Sequence, residues 1–102
     1  NRVVSFMLIL TELIQNSIKH AFKDTTIGVI SVTIVPLNDE ITAIVYDNGD
    51  GLPEDFRESL GLEIVRTLAM DELQGSFEIK AHNEKGTIAT VAFPIYLWSE
   101  DV

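Results

Sequence analysis

Glu12, Asn16, Lys19 and Lys23 recur at spacings of three and four residues in and just beyond the stretch LTELIQNSIKHAF, residues 10–22. On a helix of 3.6 residues per turn they fall within about 60° of one another, which sets a carboxylate, an amide and ammoniums along one stripe. Asn and Glu are oxygen donors of the kind a hard divalent cation takes. A second site follows at Asp47-Asn48-Gly49-Asp50-Gly51. Gly49 and Gly51, spaced one apart, let the backbone turn sharply and approach a flat ligand closely, with Asp47 pointing into the gap. The third is Ser59-Leu60-Gly61-Leu62, a helix start whose free amides and positive dipole end suit phosphate oxygens. The fourth is Gly86-Thr87 at the start of the last strand. Each also has a plain structural reading: a solvated helix face, an Asx turn, an ordinary N-cap, a hairpin glycine. All four occurring together in one short chain point to chemistry.

The elements that must position these residues are legible from periodicity. Phe6, Leu10, Leu13, Ser17 and Ala21, with Ile14 and Ile18 at the margin, give the first helix a core-facing side opposite the polar stripe. Asp24-Thr25-Thr26 and Gly28 break it, and residues 29–35 alternate Ile30, Val32 and Ile34 against Ser31 and Thr33, the pattern of a half-buried strand. Turn residues at 36–40 lead to a second strand over 41–46, expected to pair with the first as an antiparallel hairpin and to run straight into Asp47. Residues 52–58 carry Pro53 and no hydrophobic period, which predicts a loop able to cover a ligand. Ser59 is the expected N-cap of a second helix over about 60–73, with Leu62, Val65, Leu68, Ala69 and Leu73 at helical spacing and Gly75 closing it. Strands over 76–81 and 87–93, joined by a turn at 82–86, complete the chain, with Pro94 marking the end. The order predicts an α+β, two-layer sandwich: one mixed sheet with both helices packed on one face.

With 102 residues the chain is long enough for one domain burying roughly 60–70% of its unfolded surface, and too short for two. No apolar run reaches the ~18 residues of a membrane span, and residues 3–10 lack the basic lead-in and cleavage pattern of a signal peptide, so the domain is not expected to enter a membrane. Zero cysteines exclude a disulfide scaffold, a thiolate metal site and a cysteine nucleophile, and they fit a reducing, cytoplasmic setting. A net charge of −9 with seven basic residues argues against nucleic acid as a partner, so any anion must be held locally. The first residue is Asn rather than Met, from which a piece of a longer protein is expected, with residues 1–102 forming one domain of it.

In order, ELIQNSIKHAF, DNGDG, SLGL and GT resemble the four nucleotide-binding boxes of the GHKL ATPase superfamily, which unites gyrase, the heat-shock ninety chaperones, histidine kinases and the MutL repair protein. The wording E-L-x-x-N-x-x-K-H-A-F, and S-L-G-L-x-I-V after a short loop, are most similar to the catalytic domains of short-lid sensor histidine kinases. The resemblance implies a Bergerat-type ATP-binding fold with ATP and Mg²⁺ as ligands. It further implies that Asn16 coordinates Mg²⁺, that Glu12 orients a water or accepts a proton, and that Lys19 and His20 lie beside the phosphates. Asp47 would accept the hydrogen bond of the adenine amine, Gly49 and Gly51 would line the base, and Thr87 would complete adenine recognition. Ser59, Leu60, Gly61 and Leu62 would present backbone amides to the phosphates. Two departures stand out: Ser59 occupies the position of the second box's first glycine, and no phenylalanine-rich lid motif is present, although Phe56 lies in the loop.

The function this implies is transfer of the γ-phosphate of Mg-ATP to a histidine on a separate dimerisation and phosphoacceptor domain, with a response regulator downstream. Neither His20 nor His82 has the context of an acceptor, so ATP binding without self-phosphorylation is expected of this chain alone. Two other readings use the same residues: a protein-serine kinase of the anti-sigma-factor type, and a degenerate nucleotide-binding module that acts as an interaction surface.

Overall fold

The computed structural model describes residues 2–20, 27–82 and 85–95. Expectations for Ala21, Phe22, Lys23, Asp24-Thr25-Thr26 and the centre of the 82–86 turn, and for the His20 side chain, lie outside the described residues. Helix α1 spans Arg2–His20, β1 Ile30–Leu37 and β2 Glu40–Asp47. Helix α2 spans Leu60–Thr67 and runs on through a wide π-type turn, Leu68–Glu72, before β3, Ser76–Ala81, and β4, Thr87–Pro94. Every element expected from the periodicity is present. No helix among the described residues is long and apolar enough to cross a membrane.

The core lies between the helices and one face of the sheet. Phe6, Ile9, Leu10 and Leu13 of α1 and Leu62, Val65, Ala69 and Leu73 of the second helical segment are buried against alternate residues of β2, β3 and β4. The Phe6 and Phe93 rings meet edge to face at 5.2 Å and tie the start of α1 to β4. Ile9, fully buried, belongs to this face, whereas Ile18 is 61% exposed. The second helix ends hard against β4: a Cβ on Gly75 would lie 1.9 Å from the Ala92 carbonyl oxygen, so only glycine fits there.

The strands are ordered β1-β2-β4-β3, and all three pairings among the described residues are antiparallel. A mixed sheet implies a parallel pair, and its absence here has a topological reason. The helical crossover brings β3 in running the same way as β2, but β4 returns between them, so the two parallel strands never touch. The register sets Val45 opposite Ala89 and Ala43 opposite Val91 on the helix-facing side, and carries that row to Asp47 opposite Thr87 at one end. Both of these polar residues are buried.

β1 departs from the half-buried reading. Its inward positions Val32 and Ile34 are 43% and 49% exposed. β1 is an edge strand, and the helices cover β2, β4 and β3, leaving the apolar row of β1 largely uncovered. Alternation along a strand reports which side is apolar, not whether anything packs on it.

Candidate functional site

The end of the buried row is where polarity begins. Asp47, the last residue of β2, is 2% exposed, and each of its carboxylate oxygens accepts a hydrogen bond. Ser17 Oγ on α1 donates to Oδ2 at 2.9 Å, and the Gly49 amide donates to Oδ1 at 3.0 Å. The second bond closes an Asx turn, so the plain reading of this motif is realised as well. An ionised carboxylate has about four acceptor positions, and two neutral donors leave capacity for a further one. No cation pairs with Asp47 among the described residues.

Backbone geometry builds the approach. Gly51 has φ +81°, a left-handed conformation that glycine accepts without cost, and lies close to Gly86. Gly86 itself has φ +94°, and a Cβ there would sit 2.1 Å from the Asp47 carbonyl oxygen. Two separate loops thus close over the end of β2. Gly86→Ala adds left-handed strain to a backbone collision and is expected to cost about 1–3 kcal/mol in stability, read by thermal unfolding. A Tm matching that of the parent protein would show that the loop shifts freely.

A cavity of about 270 Å³ opens above this floor. Ser17, Asp47 and Thr87 supply its buried polar residues, Leu52, Pro53, Phe56 and Leu62 its apolar ones, and Asn16 and Ser59 its remaining uncharged polar groups. Ser59 caps α2, its hydroxyl accepting from the Leu62 amide at 3.2 Å. A pocket with apolar walls and a buried carboxylate acceptor suits a heteroaromatic base carrying an amine.

The loop over 52–58 is pinned at its far end. Arg66 Nε donates to Glu58 Oε1 at 3.1 Å, with a second contact between Arg66 Nη2 and Glu58 Oε2. Arg66 also donates to the Phe77 carbonyl at 3.3 Å and lies 5.0 Å from the centre of the Phe77 ring, so one guanidinium joins loop, helix and β3. The hydrogen bond from Arg66 to Glu58 holds the Glu58 carboxyl below its ordinary pKa, against the opposing effect of partial burial. A depressed carboxylate contributes stability above its unfolded pKa and loses it as pH falls through the folded value. Because both side chains are partly exposed, Glu58→Gln is expected to cost about 0.5–1 kcal/mol at neutral pH, roughly 2–8 °C in Tm, with the difference vanishing in acid. Unfolding curves of parent and variant that stay parallel from neutral pH into acid would contradict this.

The structure gathers Asn16, Asp47, Gly51, Ser59, Leu62 and Thr87 around the one cavity. Gly49 is buried behind Asp47 as its hydrogen-bond donor. Gly61 lies beside the rim: a Cβ there would be 2.5 Å from Glu12 Oε2, so the Glu12 carboxylate rests on the first turn of α2. Lys19 is exposed and does not line the cavity, and Leu60, 74% exposed, lies on a separate shallow groove of α2. Ser17 was missed as a site residue, because a hydroxyl on the apolar side of a helix reads as a tolerated core residue. Its position one residue after Asn16 is the only cue in the sequence.

The family model described as histidine kinase-, DNA gyrase B- and HSP90-like ATPase matches residues 1–97. The chain belongs to this ATPase family. Among similar proteins, the sensor histidine kinase PdtaS of Mycobacterium tuberculosis is 39% identical over 101 residues, covering 93% of this chain and 20% of PdtaS. The chain therefore spans about one fifth of the length of that relative. The histidine kinase domain of the Erythrobacter litoralis EL346 blue-light activated histidine kinase superposes with a TM-score of 0.81 at 28% identity, covering 90% of this chain and 47% of that one. The catalytic domain of histidine kinase ThkA shares the fold, with a TM-score of 0.74 at 23% identity over 89% of this chain and 66% of that one. These likenesses establish a histidine-kinase-type ATPase domain of the GHKL superfamily, with the ATP-binding role such a domain carries and the α+β sandwich expected of it.

Proposed function

We propose that this chain is one domain which binds Mg-ATP over Asp47 and donates the γ-phosphate to a histidine on a separate dimerisation and phosphoacceptor domain, in two-component signalling with a response regulator downstream. The observation that carries this reading is Asp47 itself. A buried carboxylate with spare acceptor capacity faces a cavity with apolar walls, and this arrangement favours a largely apolar ligand that donates a hydrogen bond there. The adenine amine fits that description. Thr87, directly across the sheet, is a second polar group for the same edge of the base.

The remaining residues suit the phosphate end. Asn16 offers a carboxamide oxygen at the cavity wall, and the α2 amides from Leu60 onward lie where Ser59 opens the helix. Mg²⁺, when bound, would neutralise charge on the phosphates, and Asn16 in the cavity lining is an oxygen donor that would hold it. Glu12, seated on the first turn of α2, is close enough to that end to orient a water or accept a proton. In the transfer, a P–N bond to the acceptor imidazole forms as the bond between the γ-phosphorus and the bridging oxygen breaks. ADP leaves, and the imidazole proton passes to a base.

Calorimetric titration with ATP, and with GTP as control, each with and without Mg²⁺, tests the reading. Binding of ATP that is selective over GTP and strengthened by Mg²⁺ is the expected result, followed by phosphorylation of a histidine-bearing acceptor domain. Absence of ATP binding would overturn it in favour of the interaction module. Binding followed by transfer only to a serine-bearing acceptor would favour the anti-sigma-factor type.

A further inference from the structure

We infer that Gly61 is a positioning residue for Glu12, an inference that rests on the phosphotransfer reading above: the missing side chain near the start of α2 is the space in which the Glu12 carboxylate sits. The backbone there does not require glycine. Among the described residues the glycines in the left-handed region are Gly51 and Gly86, whereas Gly61 lies inside α2, where glycine is a poorer helix former than alanine. What alanine would disturb is a side chain. A Cβ on Gly61 would meet Glu12 Oε2 at 2.5 Å, Glu12 Cδ at 3.5 Å and Ser59 Oγ at 3.8 Å, and of these only the carboxylate tip falls inside ordinary contact distance.

The seat joins two helices at the phosphate end of the site. Glu12 lies one turn before Asn16 on α1, and Gly61 lies two residues after the Ser59 cap of α2. A glutamate side chain has three torsions to fix, and the bare first turn of α2 lets it pack where a methyl group would bar it. In the transfer, Glu12 takes the proton of the acceptor imidazole, directly or through the water it orients, as the P–N bond forms and the γ-phosphorus–oxygen bond to ADP breaks. A methyl group on Gly61 would drive Oε2 back by about 1 Å, and misplacement of that size costs up to about 100-fold in rate. The amide of residue 61 is the same in alanine, so its offer to a phosphate is kept.

The test is a double-mutant cycle on the whole chain: parent, Gly61→Ala, Glu12→Asp, Glu12→Gln, and Gly61→Ala combined with each Glu12 change. The readouts are thermal unfolding, calorimetry with ADP and Mg²⁺, and single-turnover transfer from saturating ATP to a histidine-bearing acceptor domain. Gly61→Ala is expected to keep a Tm at or above the parent's and ADP affinity within about twofold, but to transfer about 10- to 100-fold more slowly. The same change should cost nothing further in Glu12→Gln, whose carboxylate is already lost, and little in Glu12→Asp, whose shorter side chain leaves room for the methyl group. Undiminished transfer in Gly61→Ala, an equal loss in the Glu12→Gln background, or ADP affinity falling as far as the rate would overturn the inference while the kinase reading stands. A parent protein that transfers no phosphate, or a Glu12→Gln protein as fast as the parent, would overturn the role of Glu12 in transfer, and the inference with it.

Discussion

Replacing Asp47 by Asn is expected to weaken ATP binding about ten- to 150-fold, equivalent to ~1.5–3 kcal/mol, while leaving the protein folded. The carboxylate is 2% exposed and accepts from the Ser17 hydroxyl and the Gly49 amide, one bond to each oxygen. Asparagine has the same shape and keeps one acceptor for Gly49, and the Ser17 hydroxyl can rotate to accept from the new NH₂. What changes is the side offered to the ligand: a charged acceptor becomes a neutral group with a donor, which meets an adenine amine donor to donor. Asp47→Ala removes the same acceptor but also strands the Ser17 hydroxyl and the Gly49 amide in a buried setting, so it should lose stability as well as affinity. Calorimetry and thermal unfolding on the pair separate the two effects. ATP affinity unchanged in the well-folded Asn variant would remove Asp47 from base recognition.

That experiment turns on contacts the sequence shows only in part. The D-x-G-x-G spacing identified Asp47 and its two glycines, because left-handed turns and close backbone approach have few residue solutions. The Ser59 cap was legible for a similar reason, since few side chains satisfy a helix's free amides. Strand order was not: hydrophobic alternation is a property of one strand, whereas the insertion of β4 between β2 and β3 depends on how three distant segments compete for partners. The same limit explains β1, whose apolar alternation is real although little covers it. Ser17 was invisible as a cavity residue: it looks like a helix residue on the apolar side, and only the packing of α1 on β2 gives it a place beside Asp47. Lys19 shows the converse, a residue aligned with Asn16 by helical spacing that still lies outside the cavity lining. The offset of about 60° between positions three apart on a helix is enough to turn a side chain from the cavity to solvent.

Asn16→Ala is expected to reduce Mg²⁺-dependent phosphotransfer to an acceptor histidine at least about 100-fold, with little change in Tm. Asn16 sits on α1, one turn from Glu12 and next to Ser17, whose bond to Asp47 ties the helix to the floor of the cavity. It is half-buried and lies outside the hydrophobic core, so its truncation opens no core cavity and strands no buried partner. The expected loss therefore belongs to the ligand. In the proposed binding mode Asn16 serves the phosphate end and Asp47 the base, so adenosine should bind the variant as it binds the parent, whereas the strengthening of ATP binding by Mg²⁺ should disappear. Asn16→Asp is the informative companion. It keeps an oxygen donor for a hard cation, so metal dependence should survive in part even if the added charge repels the phosphates. Mg²⁺ titrations of ATP affinity in the three proteins read this directly. An Asn16→Ala protein that retains full metal-dependent transfer would place the cation elsewhere on the rim, with Glu12, seated against the first turn of α2, an oxygen donor to examine.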